Sequence, residues 1–187
     1  MKHRGILIVV SGFSGAGKGT LMKKLVQQYD DYALSISATT RSPRPDEQDG
    51  REYFFMDKQA FEEKIANGGL VEYACYCDHY YGTPRDYVES QLTAGKDVIL
   101  EIEIQGALQI RKDYPTALLL FVVPPDAQEL KRRLTGRGTE TDAVIRQRLK
   151  RAVEEAKGIE EYDYIVVNDD LDTCVEELHE IITAAHN

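Results

Sequence analysis

Ile6-Leu7-Ile8-Val9-Val10-Ser11-Gly12-Phe13-Ser14-Gly15-Ala16-Gly17-Lys18-Gly19-Thr20 is the stretch that decides the fold. Its first five residues are an apolar run of the kind a buried strand requires, and Leu21-Met22-Lys23-Lys24-Leu25-Val26 beyond the loop has helical spacing. A glycine-rich loop that leaves a strand and opens a helix is the setting for phosphate binding. The glycines let successive backbone N–H groups turn inward, and the new helix adds the positive end of its dipole. Lys18 supplies a mobile point charge for β- and γ-phosphates. Gly12, Ser14, Gly15, Ala16, Gly17, Lys18, Gly19 and Thr20 therefore form the expected triphosphate site. The usual pattern places a hydroxyl directly after the lysine. Here Gly19 takes that position and the hydroxyl follows at Thr20, so a metal is expected to be met through water.

The flanking chain reads as α/β. Strands are expected at 6–10, 34–37, 97–102, 118–123 and 164–167, with helices near 18–29, 58–67, 84–94, 105–112, 126–135, 141–157 and 170–185. Such alternation predicts a parallel sheet flanked by helices, and the unbroken runs Val98-Ile99-Leu100 and Leu118 to Val123 suit central strands. Two segments interrupt it. A polar, Tyr-rich stretch runs from Ser37 to Arg85, and an arginine-rich one containing Gly136-Arg137-Gly138 runs from Arg133 to Arg151. Both read as insertions on the core.

With 187 residues the chain can bury one substantial core. Its formal charge of -9 argues against nucleic acid or an anionic membrane as partner. That charge is uneven: residues 158–187 hold nine carboxylates and no Lys or Arg, while residues 126–157 hold nine Lys or Arg against six Asp or Glu. A basic segment in an acidic chain points to a local anion. Three cysteines, Cys75, Cys77 and Cys174, lack metal-ligand spacing and read as reduced thiols, which suits the cytoplasm. No run approaches the roughly 18 apolar residues of a membrane span. A cleaved leader would remove β-strand and loop together, so Met1 to Val10 is read as mature structure.

Inside the first insertion, Arg41 and Arg44 sit among prolines, and Tyr53 and Tyr81 supply phenolic hydroxyls. Converging on one place, these groups would hold a second phosphate. Glu72 is an isolated carboxylate in a largely apolar run, suited to reading base N–H groups. Glu101 and Glu103 share one side at the carboxyl end of a strand, where open α/β sheets bind ligands. Arg51 and Arg85 read as surface charges, and His79, His179 and His186 as solvated.

The loop, the S-x-T-T-R-x-P-R-P of Ser37 to Pro45, Tyr80-Tyr81-Gly82-Thr83, Ile104-Gln105-Gly106-Ala107, Gly136-Arg137-Gly138-Thr139-Glu140 and Val167-Asn168-Asp169-Asp170-Leu171 occur in the order in which they resemble the guanylate kinase family. The likeness runs from about Ile6 to Leu178. It implies a phosphate-loop NTPase core over about 1–36, 86–125 and 158–187, a GMP-binding insertion over 37–85 and a lid over 126–157. It implies Mg²⁺-dependent transfer of the ATP γ-phosphoryl group to GMP, or dGMP, giving ADP and GDP. Arg41, Arg44, Tyr53 and Tyr81 would hold the GMP phosphate, while Glu72, Ser37, Thr83 and Glu101 address the base or ribose. Lys18, Arg44, Arg137 and Arg148 would be catalytic, Asn168 and Asp169 would lie on the adenine side, and Thr20 or Glu103 would meet hydrated Mg²⁺. No protein partner is implied. A noncatalytic interaction module of guanylate-kinase type and a ribose bisphosphate phosphokinase on the same scaffold are the alternatives.

Overall fold

The computed structural model describes residues 4–76, 78–135 and 142–186. Lys18 opens helix α1 (Lys18–Gln28), which follows strand β1 (Leu7–Gly12). Next come β2 (Tyr32–Leu34), β3 (Ala38–Thr39), β4 (Phe54–Phe55), α2 (Lys58–Ala66), β5 (Leu70–Tyr76) and β6 (His79–Pro84). The chain continues through α3 (Arg85–Thr93), β7 (Asp97–Glu101), α4 (Ile104–Asp113), β8 (Leu118–Val123), α5 (Ala127–Thr135), α6 (Asp142–Ala156), β9 (Tyr164–Val167) and α7 (Leu171–Ala184). Five strands form a parallel sheet in the order β2-β7-β1-β8-β9.

The apolar runs are continuous because both faces of this sheet are covered. Ile8, Val10, Ile99, Leu120 and Val122 pack against Leu21, Met22 and Leu25 of α1 and Val175, Leu178 and Ile182 of α7. Alternate residues Leu7, Val9, Val98, Leu100 and Phe121 face Val88 and Leu92 of α3 and Ala107 and Ile110 of α4. β1 thus lies at the centre of the core and delivers its loop to the carboxyl edge of the sheet. The second strand is earlier than the 34–37 expected: it begins with Tyr32 opposite Asp97, makes a last ladder bond from Ser35 N–H to the Ile99 carbonyl (2.9 Å), and then leaves the sheet.

Residues 38–84 build a second sheet of four strands, β4-β3-β6-β5, where sequence reading expects only a polar insertion. Phe61 of α2 is fully buried against Ala38 and Leu70 and stacks on the Tyr80 ring at 5.2 Å. Asp57 caps α2 by accepting from Ala60 N–H at 2.8 Å. Arg85 is not an ordinary surface charge. It donates to the Gly68 and Leu70 carbonyls and to the Tyr114 hydroxyl, joining the second sheet to the core helices. His179 is likewise not simply solvated: it stacks on Tyr29 at 3.7 Å and hydrogen-bonds the Tyr32 hydroxyl at 2.7 Å. His186 meets Asp97 at 2.8 Å. The reason is packing of α7 along the sheet, which brings both histidines to β2 and the start of β7.

Arg137 and the rest of residues 136–141, like Cys77, lie outside the described residues. Leu149 and Ala152 of α6 pack on Leu130 and Leu134 of α5, with Phe13 of the loop beside them. Cys75 is an exposed and Cys174 a buried free thiol. Among the described residues no helix is long and apolar enough to cross a membrane.

Phe61 carries the apolar centre of the small sheet, so Phe61→Ala should cost about 3–5 kcal/mol there. Amide exchange should quicken across β3, β5 and β6 while β1, β7 and β8 keep their protection. Equal acceleration in both sheets would show that the two share one unfolding unit.

Candidate active site

The phosphate loop is held from behind. Gly15 and Gly17 adopt φ of 95° and 91°, which favour glycine, and Gly17 precedes the first turn of α1. A Cβ on Gly17 would lie 2.5 Å from Asn168 Nδ2. The buried Asn168 amide donates to the Ala16 carbonyl at 2.8 Å. Arg133 of α5 donates to the same carbonyl (3.2 Å) and to the Asn168 carbonyl (2.9 Å). Asn168, expected beside adenine, thus has its side chain committed to bracing the loop, and Asp169 is exposed. Arg133 carries no signal in sequence that separates it from the neighbouring arginines.

Lys18 Nζ donates to the carbonyls of Gly12 (2.7 Å) and Phe13 (3.2 Å), so the ammonium lies over the loop it belongs to. Gly19 and Thr20 form the exposed first turn of α1. Ser11, buried at the end of β1, donates to the Ile102 carbonyl at 2.8 Å and fixes the spacing between the ends of β1 and β7. Arg148 of α6 reaches over and donates to Ser14 Oγ at 3.0 Å.

A cleft of about 430 Å³ runs from this loop to the second sheet. Gly12, Ser14 and Lys18 form one wall and Arg148 lies on it; Ser37, Arg41, Arg44, Tyr53, Glu72 and Tyr81 form the other; Glu101, Glu103 and Gly106 lie between. Residues scattered over more than a hundred positions of sequence are therefore gathered into one space. Thr83 is behind it, fully buried.

Charge in the cleft is arranged in pairs. Arg41 donates to both carboxylate oxygens of Glu47 at 3.0 and 2.9 Å, and its guanidinium lies 5.4 Å from the Tyr53 ring centre. Glu47 also accepts from the Arg44 N–H at 2.7 Å, and Arg41 holds its carboxyl below the usual range. Glu47 is a further residue missed in sequence, because only the turn brings it back to Arg41. Tyr53 and Tyr81 meet edge to face at 6.0 Å. Burial raises the Tyr53 pKa, so its hydroxyl is a donor at neutral pH.

Glu72 is only 5% exposed, and its Oε1 accepts from Thr83 Oγ at 2.7 Å. Burial pushes its pKa up to about 7, against the lowering effect of that bond. Burial also raises the Glu101 pKa, with Lys18 and Lys23 opposing. Glu103 stands at the start of α4 without capping it by its side chain. Chemically, the cleft offers a loop for a polyphosphate, an Arg–Tyr cluster for a second phosphate, and a nearly dry carboxylate for N–H donors.

A family model described as "Guanylate kinase" matches residues 4–185. The chain is 48% identical over 187 residues to "Guanylate kinase" of Latilactobacillus sakei, covering 100% of this chain and 92% of the relative. It is 50% identical to "Guanylate kinase" of Bacillus subtilis over 187 residues, again covering 100% and 92%. The crystal structure of guanylate kinase from Anaplasma phagocytophilum superposes with a TM-score of 0.78 at 30% identity, covering 98% of this chain and 87% of that one.

The buried carboxyl sets a pH dependence of stability. Folding raises the Glu72 pKa from 4.5 to about 7, so its contribution is fully present below pH 4.5 and is lost as pH rises through 7. Glu72→Gln escapes that loss. It should unfold like the parent at pH 4 and be more stable at pH 8, by up to about 3 kcal/mol. Denaturant titration at the two pH values checks this, and a gap that fails to widen would contradict it.

Proposed function

The chain belongs to the guanylate kinase family, and from that premise we infer that it transfers the γ-phosphoryl group of ATP to GMP, giving ADP and GDP. The observation that carries this reading is the single cleft in which the lysine-bearing loop, the Arg–Tyr cluster and buried Glu72 meet.

The acceptor phosphate is already anionic, so no catalytic base is required. The task is to align two groups that repel each other and to neutralise charge on the one in transit. Lys18 exchanges its loop carbonyls for β- and γ-phosphate oxygens. Loop N–H groups from Gly12 to Gly19 and the α1 N-terminus hold the remainder of the triphosphate. Arg41, Arg44, Tyr53 and Tyr81 bind the GMP phosphate, with Glu47 orienting Arg41. Arg148, together with Arg137, assigned on the family resemblance, contacts the transferring group as an arginine finger supplied in cis. Closure over the cleft excludes water and limits hydrolysis.

Glu72 accepts from guanine N1–H and the exocyclic amine, with Thr83 holding its Oε1 and Ser37 and Glu101 completing that side. Adenine presents an acceptor at N1, which would face the carboxylate and leave it unpaired. We assign Mg²⁺ to the ATP side. Thr20 and Glu103 are hard oxygen donors, and no cluster of three or more His, Cys, Asp or Glu gathers among the described residues. That donor set fits an ion held largely by phosphates and water. Thr20 or Glu103 would hold it through water, and when bound it supplies positive charge that offsets that of the phosphates. The free thiols Cys75 and Cys174 support the cytoplasm as the compartment.

ADP release from MgATP, with GMP, dGMP, AMP, CMP and UMP offered separately, tests the reading. Turnover should require a guanine acceptor, and AMP should be slower by several orders of magnitude. Arg148→Ala should lower kcat by roughly 10²-fold or more while leaving KM for GMP little changed. Nucleotide binding without transfer to any acceptor would instead make the chain an interaction module.

A further inference from the structure

Two residues of α4 touch β5 beside Glu72 without belonging to the groups assigned above: Gly106, which lines the cleft, and Gln109, which meets the strand backbone. Gly106, in the first turn, is buried. A Cβ added there would lie 2.5 Å from Glu72 Oε2 and 3.2 Å from both Glu72 Cδ and Ile102 Cδ1. Its φ is not in the left-handed region, so the backbone would accept alanine, a better helix former. Glycine at this position therefore serves space, and the atom occupying the space is the carboxylate oxygen of Glu72.

Gln109 lies three residues further along the helix. Its Oε1 accepts from Tyr73 N–H at 3.1 Å and its Nε2 donates to the Tyr73 carbonyl at 2.6 Å. The side-chain amide thus occupies both backbone groups of the residue following Glu72, as a neighbouring strand would. β5 is an edge strand of the small sheet, and its pairing with β6 shifts register between Leu70 and Glu72. Such an irregularity re-aims side chains, and the ladder alone does not fix the strand there. Gln109 supplies the missing constraint one residue beyond the shift. The helix carrying both residues starts just after Glu103, on the wall of the cleft that follows β7.

We propose that Gly106 and Gln109 are positioning residues for guanine selectivity: Gly106 leaves the room that Glu72 Oε2 occupies, and Gln109 fixes the strand from which Glu72 projects. The proposal rests on the reading of Glu72 as the acceptor for guanine N–H groups. Alanine at 106 pushes the carboxylate off Thr83 or out into the cleft, and either movement misaligns the two oxygens with N1–H and the amine. The phosphate cluster of Arg41, Arg44, Tyr53 and Tyr81 is carried by other elements and stays in place. The loss should therefore fall on GMP and not on ATP.

Steady-state kinetics of the full chain with ATP and with GMP or AMP as acceptor test this. Gly106→Ala should raise KM for GMP by roughly tenfold or more and lower the GMP-over-AMP preference by a similar factor, with KM for ATP within about threefold of the parent. Gln109→Ala, at a half-buried position that leaves the core intact, should do the same to a smaller degree. Gln109→Glu, which keeps the acceptor for Tyr73 N–H but sets a carboxylate oxygen against the Tyr73 carbonyl, should be no milder than Gln109→Ala. In a Glu72→Gln background neither substitution should lower the preference further. Should Glu72→Gln leave the GMP-over-AMP preference unchanged, the reading of Glu72 fails and the proposal with it. Should Glu72→Gln relax the preference while both α4 variants retain it, or raise KM for ATP and GMP alike, the α4 proposal alone is overturned.

Discussion

A carboxyl group buried without enough donors costs free energy, and Glu72 is in that condition. The Thr83 hydroxyl and backbone both lower its pKa, burial nonetheless moves it up to about 7, and the carboxyl lines the cleft. A base that brings two N–H groups to this place relieves the cost, and one that brings a lone pair increases it. On the proposed reading of Glu72, selectivity follows from desolvation, with binding strength secondary. Much of the second sheet serves this group: the register shift in β5 aims it, β6 holds Thr83, and α2 buries Phe61 beneath the strands that carry both.

The phosphate side works by the opposite means. A chain with net charge -9 gathers Lys18, Arg41, Arg44 and Arg148 around one cleft, beside Glu72, Glu101, Glu103 and Glu155. The loop does not hold its shape through glycine alone. Asn168 and Arg133, from beyond β9 and from α5, both donate to the Ala16 carbonyl, so the loop's curvature is tied to α5 and to the end of β9. Arg148 on Ser14 makes a second tie between α6 and the loop. Movement of α5 and α6 would be felt directly by the glycine-rich loop.

The parallel sheet was legible because its signals are local. An unbroken apolar run, a glycine loop and the helix after it can be read within twenty residues, and β1, β7 and β8 fall where the runs lie. The small sheet was not legible: β3 and β4 have two residues each, and their existence depends on partners tens of positions away. The same distinction divides the site. Lys18, Arg41, Arg44, Tyr53, Glu72 and Tyr81 stand out by residue type against their neighbours, and the fold brings them to one cleft. Glu47, Arg133, Gly106 and Gln109 act through contacts, and three of the four reach partners more than thirty residues off. Arg85 was misread for that reason. Nothing in its neighbourhood announces that it joins Gly68 and Leu70 to Tyr114.

The central claim is that Glu72 ionises to receive guanine, and proton exchange on binding measures it most directly. Calorimetric titration of GMP at pH 7 in buffers of different ionisation enthalpy gives the protons released per nucleotide bound. With a pKa of about 7 in the free protein, the parent should release roughly half a proton more than Glu72→Gln. Identical proton counts for the two proteins would contradict the account, because the buried carboxyl would then keep its protonation state when the base arrives.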